Sequence, residues 1–197
     1  LFVAVVGTIG HLIVASLCAY ALAKHRFPGQ NIVFKIIVLS LMFSTAVTQV
    51  PSFLIMTKLH MINHLSALIL PAFASSLGLY LMKQFIDSNV SDEMIEAARI
   101  DGANEVYIFS RIVMPLVKPA WLTLIITTFQ SVWNSAVSPY VWSEQLKTFN
   151  SAITAISAVS QGAASAATVL TMSVPIIIFV VSQAQIVETM GTSGMKD

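Results

Sequence analysis

Long apolar runs alternate with short polar connections along this chain. A helix that crosses the roughly 30 Å hydrocarbon core of a bilayer needs about 20 apolar residues. Segments of about that length span residues 1–23, 36–57, 65–82, 119–142 and 167–185. The first of them contains no Lys, Arg, Asp or Glu. The pattern predicts an all-α polytopic membrane helix bundle with five spans in this chain.

One polar stretch, residues 87–118, interrupts this pattern. Ser91 can cap a first helix, because its hydroxyl can accept a hydrogen bond from a free backbone N–H. Gly102 stands where a helix needs a left-handed residue to stop. Asn104 can cap a second helix, which Pro115 would end. The sequence therefore predicts a short helix, a glycine turn and a second helix between two membrane segments.

Small side chains and charges share the first of these two helices. One face combines residues at i, i+3, i+4 and i+7 spacing: Met94, Ala97, Ala98 and Asp101. Glu96 and Arg99 flank that face. Small side chains let another surface approach the helix closely, which favours a docking site. A solvated connector between two membrane helices fits the same spacing, and the spacing alone favours this connector.

The composition also indicates a membrane protein. The chain has 197 residues, of which 56% are hydrophobic and only 10% are charged. Average soluble domains carry about 25% charged residues. The net charge of +1 says little about partners, and no basic run indicates nucleic-acid binding.

Lysine and arginine predict the orientation, since positive residues favour the cytoplasm. Eight of the ten fall on one side of the predicted membrane: Lys24, Arg26, Lys35, Lys83, Arg99, Arg111, Lys118 and Lys196. Lys58 and Lys147 fall on the other side. We therefore expect Leu1 outside, residues 87–118 inside and the tail 186–197 in the cytoplasm.

The polar stretch EAARIDGANEVYIFSRIVMPLVKP (96–119) resembles the cytoplasmic EAA loop of binding-protein-dependent ABC importer permeases. The shared positions are EAA, DGA, Phe109, Ile112, Pro115 and Pro119. Met114 replaces the usual Leu, and Ser91 stands where a Pro is common.

Other segments are similar to carbohydrate importer permeases of the maltose type. They are YALAKHRFPGQ (20–30), VPSFLIMTKLHMINHLSALILP (50–71), TFQSVWNSAVSPYVW (128–142) and ETMGTSGMKD (188–197). The resemblance implies the transmembrane domain of a type I ABC importer. That subunit normally has six spans, so we expect one further amino-terminal span beyond the five visible here.

The resemblance also implies a mechanism and partners. The loop would form a coupling helix that docks on a cytoplasmic ATPase, through Glu96, Ala97, Ala98, Asp101 and Gly102. Gly191 and Gly194 of the tail would also contact the ATPase. The implied partners are a second permease subunit in a heterodimer, an ATP-binding cassette ATPase dimer, an extracytoplasmic solute-binding protein and a sugar. The implied location is the plasma membrane of a bacterium or archaeon.

The chain carries no nucleotide-binding or catalytic signature of its own. It lacks the G-x-x-x-x-G-K-[ST] phosphate loop, so ATP would be used by the partner and we expect no enzyme activity and no cofactor here. His60 and His64 have the i, i+4 spacing of metal ligands, but no third ligand is near them in sequence, and we expect no metal site. His11 favours a packed, helix-bridging role over a proton relay.

Four residues within the apolar segments are candidates for a translocation path: Gln49, Gln130, Trp133 and Asn134. Polar groups are unfavourable in lipid and should turn toward the protein interior. They could contact solute or hydrogen-bond between helices, and the sequence favours the second role.

Three other functions remain as alternatives. An ABC permease for a non-sugar solute would look similar. An ion-coupled transporter usually places carboxylates inside the membrane, whereas the acidic residues here lie outside the span interiors, with Glu188 at a boundary. A purely structural membrane subunit would explain the hydrophobicity but not the polar stretch.

Overall fold

The computed structural model describes residues 1–135 and 140–193, and this part of the chain is helical without any strand. The helices are α1 (Phe2–Lys24), α2 (Gln30–Ser40), α3 (Thr45–Lys58), α4 (Ser66–Phe73), α5 (Ser76–Asn89), α6 (Asp92–Ile100), α7 (Glu105–Leu116), α8 (Lys118–Trp133), α9 (Phe149–Ser157) and α10 (Gln161–Ser193). A short 3-10 turn covers Glu144–Leu146. Residues Ile108–Val113 within α7 form a π-helical turn.

Helix α1 is the centre of the packing, in contact with α4, α5 and α8. Its buried side is built mainly from small or hydroxyl-bearing residues: Ala4, Gly7, Thr8, Ala15, Ser16 and Ala19. Its exposed side carries large aliphatic residues: Val5, Ile9, Ile13, Val14 and Leu17. Small residues at helix contacts and large apolar residues outside are typical of helices packed in lipid, where helices associate by close approach.

Glycines of α1 and α5 make this close approach possible. A Cβ atom on Gly10 would lie 2.1 Å from Cε1 of Phe73, because the Phe73 ring covers that glycine. A Cβ atom on Gly78 would lie 2.0 Å from Nε2 of His11. Neither position has room for a side chain.

His11 also supports a break between α4 and α5. Its Nδ1 donates to the carbonyl oxygen of Phe73 at 3.1 Å, at the end of α4. The hydroxyl of Ser75 accepts from the backbone N–H of Gly78 at 3.4 Å and caps α5. A buried carbonyl that a helix break leaves free must find a donor, so this histidine bridges two helices, as its place in an apolar segment suggested.

Two predicted segments are broken in the structure. The segment 36–57 was expected as one helix, but it consists of α2 and α3 separated at residues 41–44. The Ser40 hydroxyl bonds the Ile37 carbonyl at 2.6 Å at the end of α2, and such local bonds compete with helix continuation. The segment 65–82 is likewise divided into α4 and α5.

Helix ends also differ from the hydropathy boundaries. Helix α5 continues past residue 82 to Asn89, with Lys83 paired to Asp87 along its surface. Helix α8 stops at Trp133 and not at residue 142. Helix α10 begins at Gln161, before the expected start at 167, and its backbone remains helical through residues 186–193 of the predicted tail.

Length and composition mark three helices of the described residues, or four, as able to cross a membrane, whereas the sequence predicts five spans. Within the described residues, three helices are long and apolar enough: Phe2–Lys24, Ser66–Asn89 and Gln161–Val180. The pair Glu105–Leu116 and Lys118–Trp133, bent by 81°, would make a fourth if it forms one broken span. The all-helical architecture is confirmed, and the count of five spans stays a prediction.

Candidate functional site

Local sequence signals shape the polar stretch into a helical hairpin, defined here as residues 91–117. The Ser91 hydroxyl accepts from the backbone N–H of Met94 at 3.3 Å at the start of α6. Gly102 has a φ of 83°, the left-handed conformation that ends this helix. Asn104 Oδ1 accepts from the backbone N–H of Tyr107 at 2.8 Å at the start of α7. Both predicted caps and the glycine turn are confirmed.

The second helix ends one residue beyond the predicted end at Pro115. Helix α7 continues to Leu116 because proline removes only its own donor and its φ suits a helix. The backbone N–H of Val117 still donates to the carbonyl of Val113 at 3.1 Å. The chain then bends by 81° into α8. Trp121 Nε1 donates to the carbonyl of Met114 at 3.1 Å and satisfies one acceptor at this bend.

The inner side of the hairpin is packed as tightly as a protein core. Its buried residues are Ile95, Ile108, Val113 and Val117, each at most 2% exposed. They join one apolar cluster with residues of α1 and α5: Ala19, Tyr20, Met82 and Ile86. The hairpin is therefore seated on the same ends of α1 and α5 and cannot swing as a free loop.

An ion pair fastens the first arm of the hairpin to α1. Lys24 Nζ lies 2.7 Å from Asp92 Oδ1, and the Lys24 side chain is only 6% exposed. The hydrogen bond and the charge of Lys24 lower the pKa of the Asp92 carboxyl below its ordinary value. Asp92 also stands in the first turn of α6, where the helix dipole favours a negative charge.

Glu105 fastens the second arm through both of its carboxylate oxygens. Tyr20 donates its hydroxyl to Oε2 at 2.7 Å, and Arg99 Nε donates to Oε1 at 2.7 Å. His25 Nε2 lies 3.3 Å from Oε2. The hydrogen bonds from Arg99 and Tyr20 lower the pKa of the Glu105 carboxyl, and Glu105 in turn raises the pKa of Arg99. The carboxylate is held in its charged form.

The outer side of the hairpin exposes apolar side chains. Those with the largest exposed fractions are Ile100 at 86%, Val106 at 75%, Tyr107 at 54% and Met94 at 40%. Around the glycine turn, an open cleft of about 470 Å³ is lined by Ala98, Asp101, Gly102, Asn104, Tyr107 and Ile112. We call these exposed residues, the exposed Glu96 and Ala97 of α6, and this cleft the docking face.

The predicted coupling residues differ in how far they are exposed. Glu96, Ala97, Asp101 and Gly102 are exposed. Ala98 is half-buried and packs against the apolar cluster. Bulk at Ala98 would therefore disturb the hairpin itself, whereas Ala97 is open to a partner.

The predicted path residues are spread over two helices. Trp133 lines a cavity of about 230 Å³ at the end of the molecule opposite the hairpin, together with Phe2, Leu65, Gln145, Lys147 and Asn150. Its ring stacks on Phe129 with a centroid distance of 5.6 Å, and its Nε1 is buried without a partner. Asn150 donates to the carbonyl of Trp133.

The other path candidates do not line this cavity. Asn134 caps α8 by donating its backbone N–H to Gln130 at 2.9 Å, and Gln130 is half-buried. Gln49 is exposed on α3. Sequence reasoning missed Gln145, Lys147 and Asn150, which lie in the polar connection SEQLKTFN (143–150), where no motif or periodicity marks a site.

Three remaining predictions concern the tail and a metal site. Gly191 lies in α10, and Gly194 lies outside the described residues. His60 and His64 are both exposed. In the part of the chain that the structure describes, no group of three His, Cys, Asp or Glu residues is placed to hold a metal.

A family model described as a binding-protein-dependent transport system inner membrane component matches residues 11–191. The chain belongs to this family. The match includes the hairpin and the α1, α4, α5 and α8 packing that supports it. The resemblance to binding-protein-dependent importer permeases is confirmed, and this inner membrane component is a multi-pass membrane protein of a transport family.

Several relatives are named as sn-glycerol-3-phosphate transport system permease protein UgpE. That of Yersinia enterocolitica is 38% identical over 135 residues, which is 68% of this chain and 46% of the relative. That of Pectobacterium atrosepticum is 34% identical over 183 residues, 89% of this chain and 65% of the relative. This inner membrane component thus spans about half to two thirds of the length of these relatives.

A solved structure shares the fold of this inner membrane component. It is described as a bacterial ABC transporter involved in the import of the acidic polysaccharide alginate. The TM-score is 0.78 at 27% sequence identity, covering 93% of this chain and 71% of the other. This match confirms the type I importer fold that the resemblance implied.

Proposed function

We propose that this chain is part of the permease subunit of an ATP-driven, binding-protein-dependent importer. It forms half of a translocation pathway and couples that pathway to a cytoplasmic ATPase through the hairpin. The observation that carries this proposal is the division of the hairpin into a buried inner side and an exposed apolar docking face.

The docking face needs a partner. Ile100 and Val106 are 86% and 75% exposed at a polar end of the molecule, where water would otherwise cover them. Exposed apolar groups rimmed by charges mark protein interaction sites, and Glu96 and Asp101 supply charges beside them. Since the chain lacks a phosphate loop of its own, an ATP-binding cassette ATPase is the partner that this transport family requires.

The proposed cargo is a sugar or another polyhydroxylated solute. The structural relative is involved in alginate import, and the sequence relatives are named for sn-glycerol-3-phosphate. The name of the sequence relatives favours a second candidate cargo, a phosphorylated polyol that is not itself a sugar. Uptake assays with labelled neutral sugars, acidic saccharides and glycerol phosphates would distinguish the two.

The proposed assembly follows that of the transport family. It contains this permease with a second permease subunit as a heterodimer, an ATPase dimer on the cytoplasmic side and an extracytoplasmic solute-binding protein. We place the carboxyl-terminal tail in the cytoplasm, where Gly191 and Gly194 would contact the ATPase. The plasma membrane of a bacterium or archaeon is the expected location.

An ion-coupled mechanism is less well supported. Among the described side chains of the helices that could cross a membrane, the carboxylate of Asp87 lies in the last turns of α5, paired with Lys83. This position is at the hairpin end and not midway through a span. Ion-coupled transporters need ionisable groups along the pathway, so ATP remains the proposed energy source.

The test uses the complete transporter in proteoliposomes with its binding protein and solute. Glu96→Lys and Ala97→Trp alter the docking face, and Gly102→Val adds a β-branched side chain where φ is 83°. We expect all three variants to insert normally but to lose ATPase co-purification or solute-stimulated ATP hydrolysis.

Matched controls separate docking from general damage. Gly29→Val introduces the same strain at another open turn, where φ is 89°. Glu144→Lys reverses a charge at the opposite end, where the side chain is 84% exposed. Both controls should keep association and coupling. Normal association and coupling in all three docking-face variants would overturn the proposal.

A further inference from the structure

Two polar contacts join both arms of the hairpin to one end of α1. Lys24 meets Asp92 of α6 at 2.7 Å, and Tyr20 meets Glu105 of α7 at 2.7 Å. These partners are 68 and 85 residues apart in the chain. We call these four residues, with Arg99 as a fifth, the latch.

The latch is asymmetric in burial. On α1, the Lys24 side chain is 6% exposed and Tyr20 is 5% exposed. On the hairpin, the Asp92 and Glu105 side chains are 63% and 46% exposed. A buried ammonium or hydroxyl group that loses its partner is costly. Breaking these contacts would therefore cost more free energy at the buried groups of α1 than at the exposed carboxylates of the hairpin.

Arg99 connects the two arms of the hairpin to each other. It lies on α6, and its Nε donates to Glu105 of α7 at 2.7 Å. The two arms are thus joined across the glycine turn by the same carboxylate that holds Tyr20. A displacement of either arm is carried to the other and to α1.

The chain connects the hairpin directly to α5 and α8 but not to α1. Helix α5 precedes α6 by two residues, and α7 continues through Val117 into α8. Helix α1 is separated from the hairpin by α2 to α5 and touches it only through side chains. Apolar contacts alone tolerate sliding, whereas short hydrogen bonds to charged groups fix direction and distance.

We propose that Asp92 and Glu105 are positioning residues that bind α1 to the hairpin, so that movement imposed by the ATPase displaces α1, α5 and α8 as one unit. This inference rests on the proposed function and adds to it a specific route into the bundle. Since α1 packs on α4, α5 and α8, it distributes that displacement to the remaining helices.

The first experiment measures coupling in the complete transporter in proteoliposomes. Tyr20→Phe removes the Tyr20–Glu105 hydrogen bond and keeps the ring that packs on Phe109 at 5.5 Å. Glu105→Gln weakens the contacts of residue 105 with both Tyr20 and Arg99. We expect ATPase co-purification to persist while uptake per ATP hydrolysed falls roughly fivefold or more, the lower range of usual coupling between sites. The loss in the double variant should be smaller than the sum of the two single losses, because both changes act on the Tyr20–Glu105 contact.

Charge exchange tests the other arm. Asp92→Lys alone should reduce uptake per ATP, and Lys24→Asp combined with Asp92→Lys should restore part of it. Asp87→Asn is the matched control, since Asp87 forms its ion pair with Lys83 of the same helix, α5. It should leave coupling unchanged.

A distance measurement distinguishes a mechanical role from a merely structural one. Spin labels at Ala21 of α1 and Ser110 of α7, both exposed, are introduced after Cys18→Ala. In the wild-type background their distance should stay constant between nucleotide-free and ATP-bound states. In Tyr20→Phe with Glu105→Gln it should change between those states.

Several outcomes would contradict the proposed role of the latch. They are normal uptake per ATP in Glu105→Gln and Tyr20→Phe, additive losses in the double variant, loss of ATPase association, or a constant label distance in the double variant. Failure of the proposed function is recognised separately, because the wild-type transporter itself would then show no solute-stimulated ATP hydrolysis.

Discussion

At Gly78, a hydrogen atom in place of a side chain lets α5 lie directly against His11 of α1. The same histidine donates to the Phe73 carbonyl at 3.1 Å and so supports the break between α4 and α5. Single residues of this kind determine how the membrane helices meet. Their importance cannot be read from hydropathy, since glycine and histidine contribute little to it.

Gly78→Ala should destabilise the protein. The added Cβ would lie 2.0 Å from His11 Nε2, so the ring must move and weaken its bond to Phe73. Overpacking of this kind costs about 1–3 kcal/mol. The measurement is the thermal unfolding midpoint in detergent. Gly162→Ala, with open space around its Cβ, is the control and should not lower the midpoint; equal midpoints for both variants would contradict the packing argument.

The Glu105 carboxylate should make stability depend on pH. Its pKa is lowered from an ordinary value of 4.5 by Arg99 and Tyr20, so its contribution is complete above that value and is lost as pH falls through the lowered pKa. The unfolding midpoint should therefore drop below about pH 4.5. Glu105→Gln should make this fall in the unfolding midpoint smaller. Asp92→Asn should reduce it by a further amount. Unchanged pH profiles in both variants would show that these carboxylates are not held as described.

The residues that sequence predicted correctly are those with local signals. Ser91, Gly102 and Asn104 each act within three or four positions of themselves, so a cap or a turn is visible in the sequence. The Tyr20–Glu105 bond joins positions 85 residues apart. No periodicity reports such a contact, and the latch was accordingly not foreseen.

At the scale of helices, hydropathy located the apolar segments but not their breaks. Helices α2 and α3 are separate because residues 41–44 leave the helix, although they are as apolar as their neighbours. Helix α5 extends beyond its apolar segment, where Ile86 is buried in the apolar cluster and Lys83 pairs with Asp87 on the surface. Average hydrophobicity therefore misplaces a helix end where buried and paired side chains alternate around the helix.

The end of α8 provides a test of the translocation path. Trp133 forms a wall of the cavity and is stacked on Phe129. We expect Trp133→Ala and Asn134→Leu to reduce solute uptake severalfold while assembly persists. Trp133→Phe keeps an aromatic wall and should retain more uptake than Trp133→Ala. The control is Trp142→Ala, since Trp142 is 62% exposed.

Transport rates and subunit co-purification are measured for each of these variants. If Trp133→Ala assembles and transports normally, that cavity lies outside the solute path. If Trp142→Ala is as harmful as Trp133→Ala, the effect comes from aromatic loss at this end of the molecule and not from the cavity.

At the scale of the whole molecule, the distribution of charge agrees with the way the helices are arranged. Lys24 and Lys118 stand at the hairpin ends of α1 and α8, and Lys83 lies in the half of α5 nearer the hairpin. The segment after Lys58 meets the segment after Pro139 at the opposite end, where the backbone N–H of Ser143 donates to Asn63 Oδ1 at 3.0 Å. Sequence could place these groups on two sides because charge is excluded from lipid, but only the fold shows which loops touch.

This arrangement leads to a prediction of membrane orientation. Since eight of the ten Lys and Arg residues fall on the hairpin side, that side should face the cytoplasm. In cells carrying Cys18→Ala, Glu144→Cys should react with an impermeant thiol reagent, because the Glu144 side chain is 84% exposed on the opposite side. Asn31→Cys, exposed beside the hairpin end of α1, should react only after the membrane is opened. The reverse labelling pattern would place the hairpin outside the cell, where no ATPase could reach its docking face.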